Sequence, residues 1–301
     1  MTTTRRQLWV LVLLTLVWGF NWPVMKIGVS GLASLPAAYP PLTFRALSML
    51  FGLPVLAAAL LALKVPLRLP RACWGGVTRL TVTNMIVWHA VVILSIPHLS
   101  SGRAAILGYS MPIFSALWGV LVFGERFTLR QGFGVTAAAL GILMLLAHEF
   151  GKLAGAPLAA MAMLAAAGMW AWGTHQLRRS TLAVPLLTIV FWMTAITAAV
   201  MSVAALLFER GRWALPAPHV VAAIAYNAIG VFGFAHAAWF YLARSMPPVA
   251  SSVSVMLIPV LGTFAGAFFL REALHWQDFA AMVLMVLAIA SVLLRPAGTD
   301  R

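Results

Sequence analysis

The chain reads as long apolar stretches divided by short polar ones, with little of the strict alternation that marks a half-buried strand. Stretches near 8–27, 40–62, 79–97, 103–123, 131–147, 157–177, 186–207, 219–242, 248–270 and 276–294 lie at or near the roughly 20 residues that a helix needs to cross hydrocarbon. The pattern predicts an all-α membrane protein of ten transmembrane helices. Links this short leave no room for a separate soluble domain.

Composition strengthens the same picture. Of 301 residues, 63% are hydrophobic and 9% charged, against roughly 25% charged in a typical soluble domain. The net charge of +14 is an excess that nucleic-acid-binding proteins carry on a basic face. Here the basic residues sit at the ends of apolar stretches, so the expected partner is the lipid bilayer and no nucleic acid is expected. With the N-terminus in the cytoplasm, thirteen basic residues fall on that side: Arg5, Arg6, Lys64, Arg68, Arg71, Arg79, Arg126, Arg130, Arg178, Arg179, Arg244, Arg295 and Arg301. Six fall outside, namely Lys26, Arg103, Lys152, Arg210, Arg212 and Arg271, while Arg45 lies within the second stretch. That asymmetry follows the positive-inside rule. An even number of spans returns the C-terminus to the cytoplasm.

Arg5 and Arg6 before an apolar run resemble the start of a signal peptide, but the run continues into Gly19-Phe20-Asn21-Trp22-Pro23 rather than a small-residue cleavage site. The expectation is a retained anchor. A single cysteine, Cys73, excludes an intramolecular disulfide and supplies no metal cluster.

A gapless offset of 147 superimposes Pro112 on Pro259, Gly119 on Gly266 and Glu125 on Glu272. Each copy runs through small residues, a proline expected mid-helix, an apolar run and a glutamate at the helix end. Self-similarity at one offset predicts a duplication, with units 1–150 and 151–301. Five helices per unit is odd, so the second copy enters the membrane inverted. Inverted repeats place a substrate site near the bilayer midplane and alternate its access by rocking the halves.

With these motifs the sequence resembles the drug/metabolite transporter superfamily, and within it the EamA-type exporters. Trp18-Gly19-Phe20-Asn21 with Lys26 is similar to that family's Trp-Gly-x-Asn...Lys signature, Arg45 matches its basic residue in the second helix, and Pro112...Glu125 and Pro259...Glu272 match its Pro...Glu pattern. In overall similarity the chain is nearest the YddG-type exporters of aromatic amino acids and methionine. The second half departs from pattern: Ala281 and Ala288 stand where Gly134 and Gly141 stand in the first, and Trp170-Ala171-Trp172-Gly173 replaces the Trp-Gly-x-Asn element.

Polar groups inside a bilayer cost several kcal/mol when unpaired, so each has a partner or faces water. Trp18, Asn21 and Trp22 share a helix face by their i, i+3, i+4 spacing; so do Asn84 with Trp88, and Trp172 with His175 and Gln176. On the eighth helix Asn227 precedes the run Phe232, His236 and Trp239, Ser251 and Ser254 lie on the ninth, and Tyr109 lies on the fourth, just before Pro112. Amides and hydroxyls inside spans also join helix to helix, and indoles near span ends, such as Trp9, Trp74 and Trp276, also build the interfacial belt. The recurrence of amide with indole on three helices favours a lining role.

The expected substrate-binding set is Trp18, Asn21, Trp22, Arg45, Asn84, Trp88, Tyr109, Trp172, His175, Trp239, Ser251 and Ser254, with Pro112 and Pro259 as hinges. Lys26 is expected to snorkel, whereas Arg45 lies deeper, where a charge is a functional candidate.

All six acidic residues fall at helix ends or in loops, so no carboxylate within a span relays protons or sodium. No Gly-x-x-x-x-Gly-Lys-Ser/Thr loop for ATP occurs. Neither a metal-binding pattern nor a nucleophile-base pair points to an enzyme, and no cofactor is expected. The resemblance implies a secondary exporter of small neutral, preferentially aromatic, amino acids across a bacterial inner membrane. The lack of a carboxylate within a span predicts movement down the solute's own gradient, with His175 and His236 as the titratable groups that could instead couple it to protons. Other small metabolites or drugs on the same fold, anionic ones included, remain open, and a channel is disfavoured. The oligomeric state is open, a monomer included.

Overall fold

The structure is a computed structural model that describes residues 5–31, 38–124, 129–151, 156–245 and 248–293. Among the described residues it is all helical, without a strand. In chain order the α-helices are α1 (Arg5–Ser30), α2 (Pro41–Ala62), α3 (Trp74–Thr81), α4 (Val87–Ser95), α5 (Ser101–Gly108), α6 (Met111–Leu121), α7 (Leu129–Gly151), α8 (Pro157–Arg178), α9 (Leu186–Phe208), α10 (Pro218–Tyr226), α11 (His236–Ser245), α12 (Pro248–Leu270) and α13 (Trp276–Leu293). Leu, Ala and Val fill them, and α2, α8, α10 and α12 each begin on a proline. There the fixed φ suits the helix, and the missing N–H would have had no partner in the first turn.

Among the described residues, six runs are long and apolar enough to cross a membrane: Gln7–Ser30, Pro41–Ala62, Arg71–His98, Ser101–Leu121, Leu186–Phe208 and Pro218–Trp239. Three shorter apolar helices accompany them: Gly132–Met144, Ile258–Leu270 and Trp276–Ala288. Large apolar side chains lie on the outside, among them Leu121, Phe208 and Phe268. Hydrocarbon makes that arrangement stable, because between lipid and protein interior there is little transfer energy to gain. Inside the bundle α2 packs on α9, α7 on α13, α1 on α12, and α8 on α4, α5 and α6.

Two helical runs contain π-helical segments: Val82–Ile86 joins α3 to α4, and Asn227–Ala235 joins α10 to α11. At the offset of 147 the second falls over residues 80–88 and encloses the first. Small residues allow it to sit tightly. A Cβ on Gly233 would lie 2.6 Å from Val55, and one on Gly52 of α2 would lie 2.6 Å from Phe232 and 2.9 Å from the Ala228 carbonyl. Such π turns cluster at functional sites, where they redirect the side chains that follow.

The fourth stretch differs from expectation. It is not one helix with a proline in its middle: α5 ends at Gly108, Tyr109 and Ser110 form a turn, and Pro112 is the second residue of α6. The hydroxyl of Ser110 donates to the Leu107 carbonyl at 2.6 Å, beside the Ser110 backbone N–H at 3.2 Å, so that carbonyl is satisfied within the turn. Pro259, by contrast, lies inside the unbroken α12. Both stretches end alike, on a residue in the left-handed region: Gly124 at φ 66° and Arg271 at φ 55°.

Candidate functional site

α1 is unbroken through Pro23, so Trp18, Asn21, Trp22 and Met25 lie along one face. Asn21, Trp22 and Met25 are buried and Trp18 is half-buried. The rings on this face meet aromatic groups from three other parts of the bundle. Trp18 packs against His236 and Trp239, with ring centroids at 6.0 and 5.7 Å. Trp22 meets Tyr109 edge-on at 6.3 Å. Gly108 admits both Trp22 and Trp88, since a Cβ there would lie 2.9 and 3.1 Å from their ring tips. Trp88 in turn leans on Trp170 at 5.3 Å. The structure thus gathers Trp18, Trp22, Trp88, Tyr109 and Trp239 into one aromatic region.

Beside it lies a buried polar group. Arg45 is 1% exposed. Its Nη2 donates to the Met25 sulfur at 2.8 Å and its Nη1 to Asn227 Oδ1 at 3.4 Å, while Nε is buried without a partner. The guanidinium lies 5.6 Å from the centre of the Phe232 ring. Around that ring stand His236, stacked at 5.3 Å, and His89, edge-on at 5.3 Å. The two imidazoles are 5.5 Å apart, and His89 is the residue that the offset of 147 pairs with His236. His236 donates from Nδ1 to the Val231 carbonyl at 2.8 Å. Both ring nitrogens of His89, and Oδ1 of Asn21, are buried without partners.

Other expected residues lie elsewhere. Trp172 packs against Trp118 and Phe123, and His175 stacks on Phe123 at 4.9 Å and bonds Ser115 at 2.9 Å. The two therefore form a second group between α6 and α8. Asn84 bonds back to the Leu80 carbonyl and abuts Gly173, where a Cβ would lie 2.5 Å from its Nδ2, so its amide is engaged in the contact with α8. The side chains of Pro112, Ser251 and Ser254, and all of Glu125, lie outside the described residues.

One end of the bundle is bound by charged groups. Glu209, 3% exposed at the end of α9, accepts from the backbone N–H groups of Leu42 and Thr43 at 3.0 and 2.7 Å and from the Thr43 hydroxyl at 2.7 Å. A carboxylate from the second half of the chain thereby caps a helix of the first, where the helix dipole favours it. Burial, and then the nearby Glu209 carboxylate, raise the Tyr39 hydroxyl above its ordinary range. Glu272 does the same for α5, accepting from Ser101 N–H at 2.9 Å and from its hydroxyl at 3.0 Å. Lys26 is not a free snorkelling chain: it donates to the Leu99 carbonyl and pairs with Glu272 at 3.9 Å. Arg103 pairs with Asp278 at 2.8 Å.

Sequence reasoning alone does not single out Met25, His89 or Glu209, whereas it does place Phe232 in a run with His236 and Trp239. Met25 continues the i, i+3, i+4 face of α1, and His89 is reachable through the repeat offset, so both carried a signal. Glu209 acts through tertiary contacts with no local pattern.

Comparison with known proteins agrees with this architecture. The model of the EamA-like transporter family matches twice, over residues 6–147 and 157–294. The inner membrane transporter YedA of Escherichia coli (strain K12), named as uncharacterized, is 28% identical over 93% of this chain and 88% of its own. A probable amino-acid metabolite efflux pump of the same strain is 24% identical over 91% and 90%. A solved crystal structure of a protein 21% identical superposes with a TM-score of 0.69 over 96% of this chain and 98% of that one, a likeness of fold. The chain belongs to the EamA-like transporter family.

Proposed function

We propose that this transporter exports small neutral, preferentially aromatic, amino acids across the inner membrane by alternating access. In this reading ten helices form two inverted five-helix halves, with both termini in the cytoplasm. The observation that carries the cargo is the convergence of Trp18, Trp22, Trp88, Tyr109 and Trp239 from α1, α4, the α5–α6 turn and α11. Such rings give a flat side chain large contact area, with pairs worth about 0.5 to 1.5 kcal/mol beyond burial. Three observations support the two-half arrangement: the double family match, the π segments in register at the offset of 147, and the packing of α2 on α9 and α7 on α13. A second reading, export of anionic metabolites, is favoured by Arg45, whose described contacts include no carboxylate.

Proteoliposomes offered labelled amino acids, amines and sugar phosphates test the reading. Phenylalanine and tryptophan should move fastest, and Trp88→Ala should slow them more than alanine or serine. Full aromatic transport by a well-inserted Trp88→Ala protein would show the indole to be packing.

A further inference from the structure

The proposal rests on the reading above and gives the cargo a fixed point: we propose that Arg45 is the docking group for the carboxylate of the transported solute, with His89 as a second donor. A guanidinium carries five N–H donors and keeps its charge at neutral pH. Arg45 directs its described bonds at a thioether and a side-chain amide, both uncharged, and Nε is buried with no acceptor. A buried cation costs several kcal/mol unless an anion is paired with it. The acidic side chains described in the fold are engaged elsewhere: Glu209 by the start of α2, Glu272 by Ser101 and Lys26, and Asp278 by Arg103. Among the described residues, then, no carboxylate serves Arg45.

His89 adds donor capacity. A neutral imidazole must carry one N–H, and both nitrogens of this ring are buried and unpartnered. His89 and Arg45 both contact the Phe232 ring. Acceptors are present as well. His236 spends its Nδ1–H on Val231, so a neutral ring leaves Nε2 as an acceptor. Asn21 Oδ1 is buried and unpartnered one turn along α1 from Met25, the residue Arg45 touches. Donors beside acceptors fit a zwitterion, with its carboxylate on Arg45 and its ammonium toward Asn21. A single fixed cation suits a carboxylate better than a phosphate dianion, whose second charge would be desolvated without a partner. The planar fork of arginine matches a carboxylate through two parallel bonds.

The test measures binding to the purified full chain in nanodiscs, using phenylalanine, 3-phenylpropionate (no ammonium) and phenethylamine (no carboxylate). Phenylalanine should bind tightest and 3-phenylpropionate next, with phenethylamine at least about tenfold weaker than phenylalanine. Arg45→Met should abolish the preference for the two carboxylates while leaving phenethylamine unchanged. Its melting temperature should not fall, since it removes a buried charge without a described counter-ion. Should Arg45→Met unfold, Arg45→Gln supplies the same comparison. Arg45-dependent binding of 3-phenylpropionate without binding of phenylalanine would keep the anchor and remove the amino-acid reading. Phenylalanine bound equally well by the arginine variants would keep the amino-acid reading and sink the anchor. Phenethylamine bound as tightly as phenylalanine, or no carboxylate bound at all, would also overturn the anchor.

Discussion

The fourth apolar stretch of the first half and its counterpart in the second carry a proline at the same register and fold differently. Around Pro112 the helix breaks into α5 and α6; around Pro259 it runs unbroken as α12. The residues two before each proline differ. Ser110 brings a hydroxyl to the Leu107 carbonyl, whereas the corresponding position is Leu257, which has no polar group to offer. A proline weakens a helix, and its neighbours decide whether the weakness becomes a joint. The Glu209 cap is also one-sided. Glu209 closes the start of α2, while Ala62 holds the register position of Glu209 in the first half and is exposed. The two stretches share a register and differ in continuity and in capping.

The sharpest way to break this comparison is at the cap. Glu209→Ala leaves two buried N–H groups and a hydroxyl without their acceptor, a loss of about 3 kcal/mol. Ala62→Glu, at the matching exposed position, should change stability by no more than about 0.5 kcal/mol. Unfolding in detergent compares the two, and equal effects would remove the claimed asymmetry.

Next comes the joint. Pro112→Ala should let α5 and α6 approach one continuous helix and slow transport by about tenfold, equivalent to about 1.4 kcal/mol on the barrier, with solute affinity nearly unchanged. Pro259→Ala restores one bond in a helix already continuous and should slow transport less. Equal slowing in a counterflow assay would mean that the two prolines are alike after all.

The smallest effect concerns the left-handed residues that end α6 and α12. Gly124→Ala should cost about 1 kcal/mol, through φ alone, because nothing stands within 4 Å of the added Cβ. Arg271→Gly should gain a similar amount by relieving an arginine at φ 55°. Opposite shifts in melting temperature would show one backbone plan under two sequences.

Much of this was legible beforehand because a membrane imposes a length on each apolar run and hydrocarbon admits few charges. The approximate helix positions, the face of Trp18, Asn21 and Trp22, and the depth of Arg45 all follow from spacing. The break at Tyr109 and Ser110 does not, because a serine inside a span commonly bonds its own helix without interrupting it, as Ser291 and Ser48 do. Trp172 and His175 share a face with the right residue types, but the sequence does not say that α6 supplies their partners. The roles of Glu209 and Glu272 depend on which helix start lies opposite, a matter of tertiary arrangement. His89 stood in the repeat register all along; only the meeting of the two rings at 5.5 Å gives that register a place in space.

The π-helical segment Asn227–Ala235 holds more residues than the α-ladder would accommodate over the same rise. Removing one residue there would regularise the helix and rotate everything after it by about 100° around the axis. His236 would leave Phe232, and Trp239 would leave Trp18. A more regular helix would give up both ring contacts: the surplus of chain wound into the segment is what sets the angle at which these two side chains meet their partners.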